Sequence, residues 1–207
     1  MREQSIPAEI IKRMSAVPNT IFTVDEFTDL SDNDSIRTIL CRLVQENKIV
    51  RLIKGYFTIP YQLTLVNRVA YPSTQDLAEK VAERHGWIIL PTKETVLNVL
   101  GLSTQVPAVT EYISTGPTHE INYRGHTIRF KRTYQMTLLQ LPREQALMVQ
   151  AIKEIGKDKM TSKQFQKLCS YFREHVNVEL SKQPIKIPTW IKNVLRRIED
   201  ENNGKID

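Results

Sequence analysis

Two adjacent segments constrain this chain most. NDSIRTILCRLVQENKIV at 33–50 has the pattern of an amphipathic helix, and RLIKGYFTIP at 51–60 follows it directly as a basic hairpin. Ile36, Ile39, Leu40, Leu43 and Val44 recur at i, i+3, i+4, i+7 and i+8, so the helix has one apolar stripe. Gly55 permits a positive-φ turn, and Pro60 ends the second strand. A helix feeding a glycine-turned basic hairpin is the sequence form of a winged helix-turn-helix. That module lays its helix in a DNA major groove and its hairpin on the flanking backbone.

The flanking sequence supplies the other elements. SIPAEIIKRM at 5–14 predicts a helix capped by Ser5, with Pro7 in its first turn and Ile6, Ile10, Ile11 and Met14 on one side. IFTV at 21–24 reads as extended, DEFTDL as a short helix, and SDND at 31–34 as a turn and N-cap. YQLTLVNRVAYP at 61–72 reads as a linker. Downstream, a helix is expected over 74–85, with Ser73 and Asp76 spaced as a capping box. A strand is expected at 87–90, a short helix over 92–100 stopped by Gly101, and a strand over 107–115. EINYR and HTIRFKRT form a second hairpin around Gly125. Helices are expected over 143–155, 161–175 and 188–199, with QPIKIP at 183–188 as an extended linker and ENNGKID as a fraying tail. The expected fold class is α+β. A winged helix-turn-helix spans 1–60, a linker 61–72, and a mixed α/β domain that ends in helices spans 73–207.

Charge sharpens the first of these regions. The net charge is +6, yet residues 1–60 hold eight Lys/Arg and eight Asp/Glu, so bulk basicity is not the signal there. The signs separate along the chain instead. Asp25, Glu26, Asp29, Asp32 and Asp34 come first. Arg37, Arg42, Lys48, Arg51 and Lys54 follow, against Glu46 alone. Such polarity orients a module on a phosphate backbone.

Winding 35–46 as a helix places Thr38, Cys41, Arg42 and Gln45 opposite the apolar stripe, flanked by Ser35 and Arg37. Arg and Gln read guanine and adenine edges bidentately, and Ser and Thr bond bases or phosphates. In the hairpin, alternation predicts Arg51 and Ile53 on one face, Leu52 and Lys54 on the other. Arg51, Lys54 and the Tyr56 hydroxyl are expected at phosphates. Reading a palindromic site takes two copies of the module, hence a possible dimer on DNA.

In the second hairpin Ile121, Tyr123, Ile128 and Phe130 alternate as core residues. Arg129 and Lys131 share a strand face, with Arg124 near the turn and Arg132 opposite. These four cations mark a possible effector surface for nucleic acid or an acidic partner. The residues WIILP, GLSTQVPA, YISTGP and TIRFKRT, together with KGYFTIP, resemble the AbiEi-type antitoxins of abortive-infection toxin–antitoxin systems. The resemblance covers about 5–133. It implies a winged helix that binds double-stranded operator DNA and represses its own operon. It also implies a C-terminal domain that counteracts a nucleotidyltransferase-like toxin, without implying that the two bind directly. The positions it bears on are the helix and hairpin residues above and, more loosely, the second hairpin.

No enzymatic constellation appears. The sequence has no HExxH, no CxxC, no phosphate-loop Gly-Lys-Ser/Thr and no GxSxG elbow. His119 and His126 can approach across the second hairpin, but two histidines without further ligands predict no metal site. No cofactor is expected. Cys41 and Cys169 are far apart and imply no disulfide framework, which fits a reducing cytoplasm. No apolar run reaches the ~20 residues of a membrane span. The alternative function is a stand-alone winged-helix transcriptional regulator with a ligand-sensing or dimerisation domain.

Overall fold

The computed structural model describes residues 5–63, 68–134, 136–176 and 178–204, which fall into two compact units, Met1–Val81 and Ala82–Asp207. The architecture is mixed α+β.

The first unit is built around helix α1 (Ile6–Ala16) and helix α2 (Asn33–Gln45). Pro7 lies in the first turn of α1, where its missing N–H has no helical partner to lose. Ser5 precedes α1 in extended conformation, but its hydroxyl makes no capping bond. The cap that forms is at α2. Asp32 accepts from the backbone N–H groups of Asp34 and Ser35, each at 3.0 Å. The Ser35 hydroxyl and these amides hold the Asp32 carboxyl down at about 2. Between the helices lies a 3-10 turn (Val24–Phe27), where Thr23 and Glu26 close a capping box. Arg13 of α1 grips Asp29 through two parallel bonds of 2.9 and 2.7 Å.

Ile36, Leu40 and Leu43 of α2 are fully buried with Ile10, Met14, Phe27 and Phe57. Strands β1 (Val50–Ile53) and β2 (Tyr56–Thr58) form the basic hairpin, turned at Gly55 with φ 84°. Phe22 joins it as a one-residue bridge, exchanging two 2.8 Å backbone bonds with Phe57. The plain alternation expected in β1 does not hold. Arg51 pairs with Phe57 but Ile53 with Tyr56, so Leu52 is an extra residue that shifts the register. The expected linker at 61–72 contains two paired strands: β3 (Tyr61–Leu63) runs antiparallel to β4 (Arg68–Ala70). Helix α3 (Thr74–His85) follows, and the division between units falls within it. Its capping box closes reciprocally. The Ser73 N–H donates to Asp76 Oδ2 at 2.8 Å, and the Asp76 N–H to Ser73 Oγ at 3.1 Å.

The second unit centres on a four-stranded sheet. Its strands are β5 (Ile89–Pro91), β6 (Val109–Ser114), β7 (His119–Tyr123) and β8 (His126–Arg132), in spatial order β5-β6-β8-β7. β6 and β8 are parallel, because the chain leaving β6 forms β7 at the edge and returns between them. The antiparallel register pairs His119 with Phe130 and His126 with Tyr123, so the two histidines sit at opposite ends of the hairpin and do not approach. One sheet face buries Tyr112, Ile121, Tyr123, Ile128 and Phe130. Trp87 meets the Phe130 ring edge-on at 5.7 Å.

On the other face Leu90 and Ile113 pack into a helical core. Helix α4 (Lys93–Val99) follows β5 and precedes the turn at Gly101 (φ 64°). Helix α5 (Arg143–Ile155) is buried continuously from Ala146 to Ile152, as befits a central helix. Helix α6 (Ser162–Tyr171) was expected to run to 175, but it passes into a π-helical turn at Phe172–Val176. Helix α7 (Thr189–Asn203) runs four residues past its expected end. Residues 183–188 do more than link, because Ile185 enters the core.

A β-carbon on Gly116 would lie 2.3 Å from the Trp87 ring, whereas one on Gly125 meets nothing within 4 Å. Gly116→Ala should therefore cost about 2 kcal/mol or more through overpacking. Gly125→Ala should cost only about 1 kcal/mol, from its positive φ. Urea unfolding of both variants checks the order, and equal losses would contradict the Trp87 contact.

Candidate nucleic-acid interface

The buried stripe of α2 fixes what its opposite side presents. Arg37, Thr38, Cys41, Arg42 and Gln45 are exposed and Ser35 is half-buried. Thr38, Arg42 and Gln45 are spaced i, i+4 and i+7, so they form one ridge. Several of these groups already have local partners. The Ser35 hydroxyl donates to Asp32 at 2.7 Å, and the Thr38 hydroxyl to the Asp34 carbonyl at 2.9 Å. Arg37 pairs with Asp34 at 3.0 Å, Arg42 with Glu46 at 3.8 Å and Lys48 with Glu46 at 2.8 Å. Lys48 first, then Arg42, hold the Glu46 carboxyl below its usual range. Such exposed pairs contribute about 0–1 kcal/mol each, so phosphates can displace them at small cost.

Arg51 and Lys54 of the hairpin are exposed. Among the described residues neither forms an ion pair, and Gln45 has no polar partner. Tyr56 does not fit its expected place. All three residues of β2 are buried, Tyr56 is 4% exposed and its hydroxyl is enclosed. It therefore has no wet face with which to reach a phosphate, and its role is in the core.

The second hairpin departs further from expectation. Arg129 and Lys131 do share a strand face, but two carboxylates share it with them. Parallel pairing sets Glu111 beside Arg129, and antiparallel pairing sets Glu120 on its other side. Glu111 is 5% exposed. Its carboxylate lies 3.1 Å from Lys131, 3.2 Å from Lys93 and 3.6 Å from Arg129. Arg129 also donates to Glu120. Its backbone is clamped as well. The Glu111 N–H donates to the Thr95 hydroxyl at 3.0 Å, and its carbonyl accepts the Thr92 N–H at 2.9 Å. Burial pushes the Glu111 carboxyl up, but the bonds from Lys131 and Lys93 outweigh it and hold the group below its usual range.

Lys93 reaches this carboxylate from a left-handed backbone, φ 52°. That conformation is strained for a side-chain-bearing residue and persists where the surroundings over-determine it. Arg124, in the turn, is exposed, and Arg132 lies 5.2 Å over the Tyr134 ring. Two of the four expected cations are thus spokes around a buried carboxylate. Glu111 was missed in the sequence reading. Its signal was a carboxylate at the alternation position shared by Val109 and Ile113.

The Glu111 cluster sets a pH dependence. A carboxyl whose folded pKa lies below its unfolded value, about 4.3, stabilises the fold above that value. This contribution is lost as pH falls through the folded pKa. Glu111→Gln should lower stability at pH 7 by about 1 kcal/mol, since it removes the buried carboxylate to which three partly exposed cations bond. It should also flatten the decline in stability below about pH 5. Urea unfolding at pH 7 and pH 4 tests both, and an unchanged pH slope would contradict the cluster.

Comparison with curated proteins gives no match. A family model described as "Family of unknown function (DUF6088)" matches residues 8–180, from within α1 to the turn that precedes α7. The match spans most of the chain, so this protein belongs to the DUF6088 family.

Proposed function

We propose that this chain is a DNA-binding regulator in which α2 and the β1–β2 hairpin act as the reading helix and wing of a winged helix-turn-helix. The observation that carries the reading is the exposed ridge of Thr38, Arg42 and Gln45, followed by a hairpin whose Arg51 and Lys54 have no acidic partner among the described residues. The order of elements supports it too: α1, the bridge at Phe22, the 3-10 turn, α2 and then the hairpin. Arg42 and Gln45 are suited to base edges, and Arg37, Arg51 and Lys54 to phosphates.

The resemblance to AbiEi-type antitoxins extends this to an autorepressor that counters a nucleotidyltransferase-like toxin. In that reading residues 1–81 occupy the operator and residues 82–207 supply the antitoxic function. Arg129 and Lys131 are engaged with Glu111, so in that reading the second hairpin offers a partner less positive charge than its sequence suggests.

Anisotropy titration of a duplex from upstream of the chain's own gene tests the DNA reading. Arg42→Ala should weaken specific binding by about 1–3 kcal/mol, and Lys54→Ala should weaken all duplexes alike and lower the salt slope by about 1. Unchanged affinity in both variants would remove this face from DNA binding. Co-expression with the adjacent gene product tests the division of labour. The double variant Arg42→Ala/Lys54→Ala should lose repression of the operon and keep rescue of growth. Loss of both together, in a variant that remains folded, would contradict it.

A further inference from the structure

Hydrogen bonding inside α2 fixes what its exposed ridge can offer a duplex. Asp34, Thr38, Arg42 and Gln45 are exposed at i, i+4, i+8 and i+11, so they lie along one side of the helix. The Thr38 hydroxyl donates to the Asp34 carbonyl at 2.9 Å. A carbonyl only accepts, so the single proton of this hydroxyl is committed and its lone pairs are left to face outward. Asp34 offers acceptors as well. Its side chain is 89% exposed and pairs with Arg37, which lies off the ridge. Farther along, Arg42 carries donors only and Gln45 carries both kinds. The ridge therefore runs from acceptors at the start of α2 to donors near its end.

Duplex DNA answers the two halves differently. Phosphate oxygens, guanine O6 and N7, adenine N7 and thymine O4 all accept. The donors of the major groove are the exocyclic amines, adenine N6 and cytosine N4. A phosphate beside Asp34 and Thr38 would meet a negative charge and no uncommitted proton. An exocyclic amine there would meet a ready acceptor. To donate to thymine or guanine instead, Thr38 would first have to break its bond to Asp34.

We propose that Thr38 determines specificity by accepting a hydrogen bond from an exocyclic amine, adenine N6 or cytosine N4, on a base near the guanine that Arg42 reads. This rests on the DNA reading above and adds to it a base class that neither Arg42 nor the hairpin selects. One helical turn separates Thr38 from Arg42, about 6 Å along the axis, which places the two bases within about two base-pair steps. Asp34 reinforces the choice, because its charge disfavours phosphates and base carbonyls at this end of the helix.

Affinity selection from a random duplex pool tests the proposal with the full chain, Thr38→Val, Thr38→Ser and Arg42→Ala. Thr38→Val keeps the branched shape at an exposed position and loses the hydroxyl, so the melting temperature should change little. The full chain should select adenine or cytosine within about two base pairs of a guanine that Arg42→Ala no longer selects. Thr38→Val should lose the adenine or cytosine preference by about fivefold and keep the guanine, whereas Thr38→Ser should keep both. In the selected duplex, purine in place of that adenine, or 2-pyrimidinone in place of that cytosine, lacks the amine. It should weaken the full chain about fivefold and leave Thr38→Val unaffected. An Arg42-dependent guanine with no Thr38-dependent neighbour would overturn this proposal and leave the DNA reading standing. So would a Thr38-dependent preference for thymine or guanine. A pool that converges on nothing would overturn both.

Discussion

The first unit depends on Ile36, Leu40 and Leu43 leaving water together. Each such side chain gains about 1.5–3 kcal/mol on full burial, and all three lie on one line of α2. Their burial against Ile10, Met14, Phe27 and Phe57 fixes the rotation of α2 about its axis. Arg42 and Gln45 face outward for this reason and not through any interaction of their own. The same core sets the hairpin. Phe57 is one of its members, and Phe57 is also the residue that Phe22 bridges. The exposed ridge and the hairpin cations are thus referred to a single apolar cluster.

The second unit rests on a different kind of constraint. Burying a carboxylate is unfavourable unless charges and hydrogen bonds compensate it. Glu111 is compensated by side chains that come from α4 and β8, and its backbone is held by Thr92 and Thr95. The cluster ties the first helix after β5 to the central pair of the sheet. It also forms part of the wall of a cavity beside α5. The basic appearance of TIRFKRT therefore overstates the charge available to a partner.

What the sequence makes legible is what local chemistry determines. The stripes of α1 and α2, the Asp32 cap, the Ser73–Asp76 capping box and the turns at Gly55 and Gly125 all involve residues a few positions apart. The misses are long-range. Nothing near Tyr56 indicates that both faces of β2 are covered. Nothing near Arg129 indicates that β6 returns beside it in parallel, bringing Glu111 eighteen positions upstream in sequence into the same register. The pairing of 61–63 with 68–70 has no strong sequence signal, and the π turn after α6 follows an uninterrupted helical pattern. At the candidate interface the ridge on α2 was readable because periodicity alone decides it. Tyr56 was misplaced because packing decides it.

The central claim, that α2 and the hairpin read duplex DNA, is tested most directly by affinity selection from a random duplex pool. The full chain should be compared with a Gln45→Ala/Arg42→Ala variant. Enrichment should converge on a motif with guanine or adenine at positions that lose their preference in the variant, while residual binding stays strongly salt-dependent. A pool that fails to converge with the full chain would contradict the account. So would a motif that the variant selects unchanged.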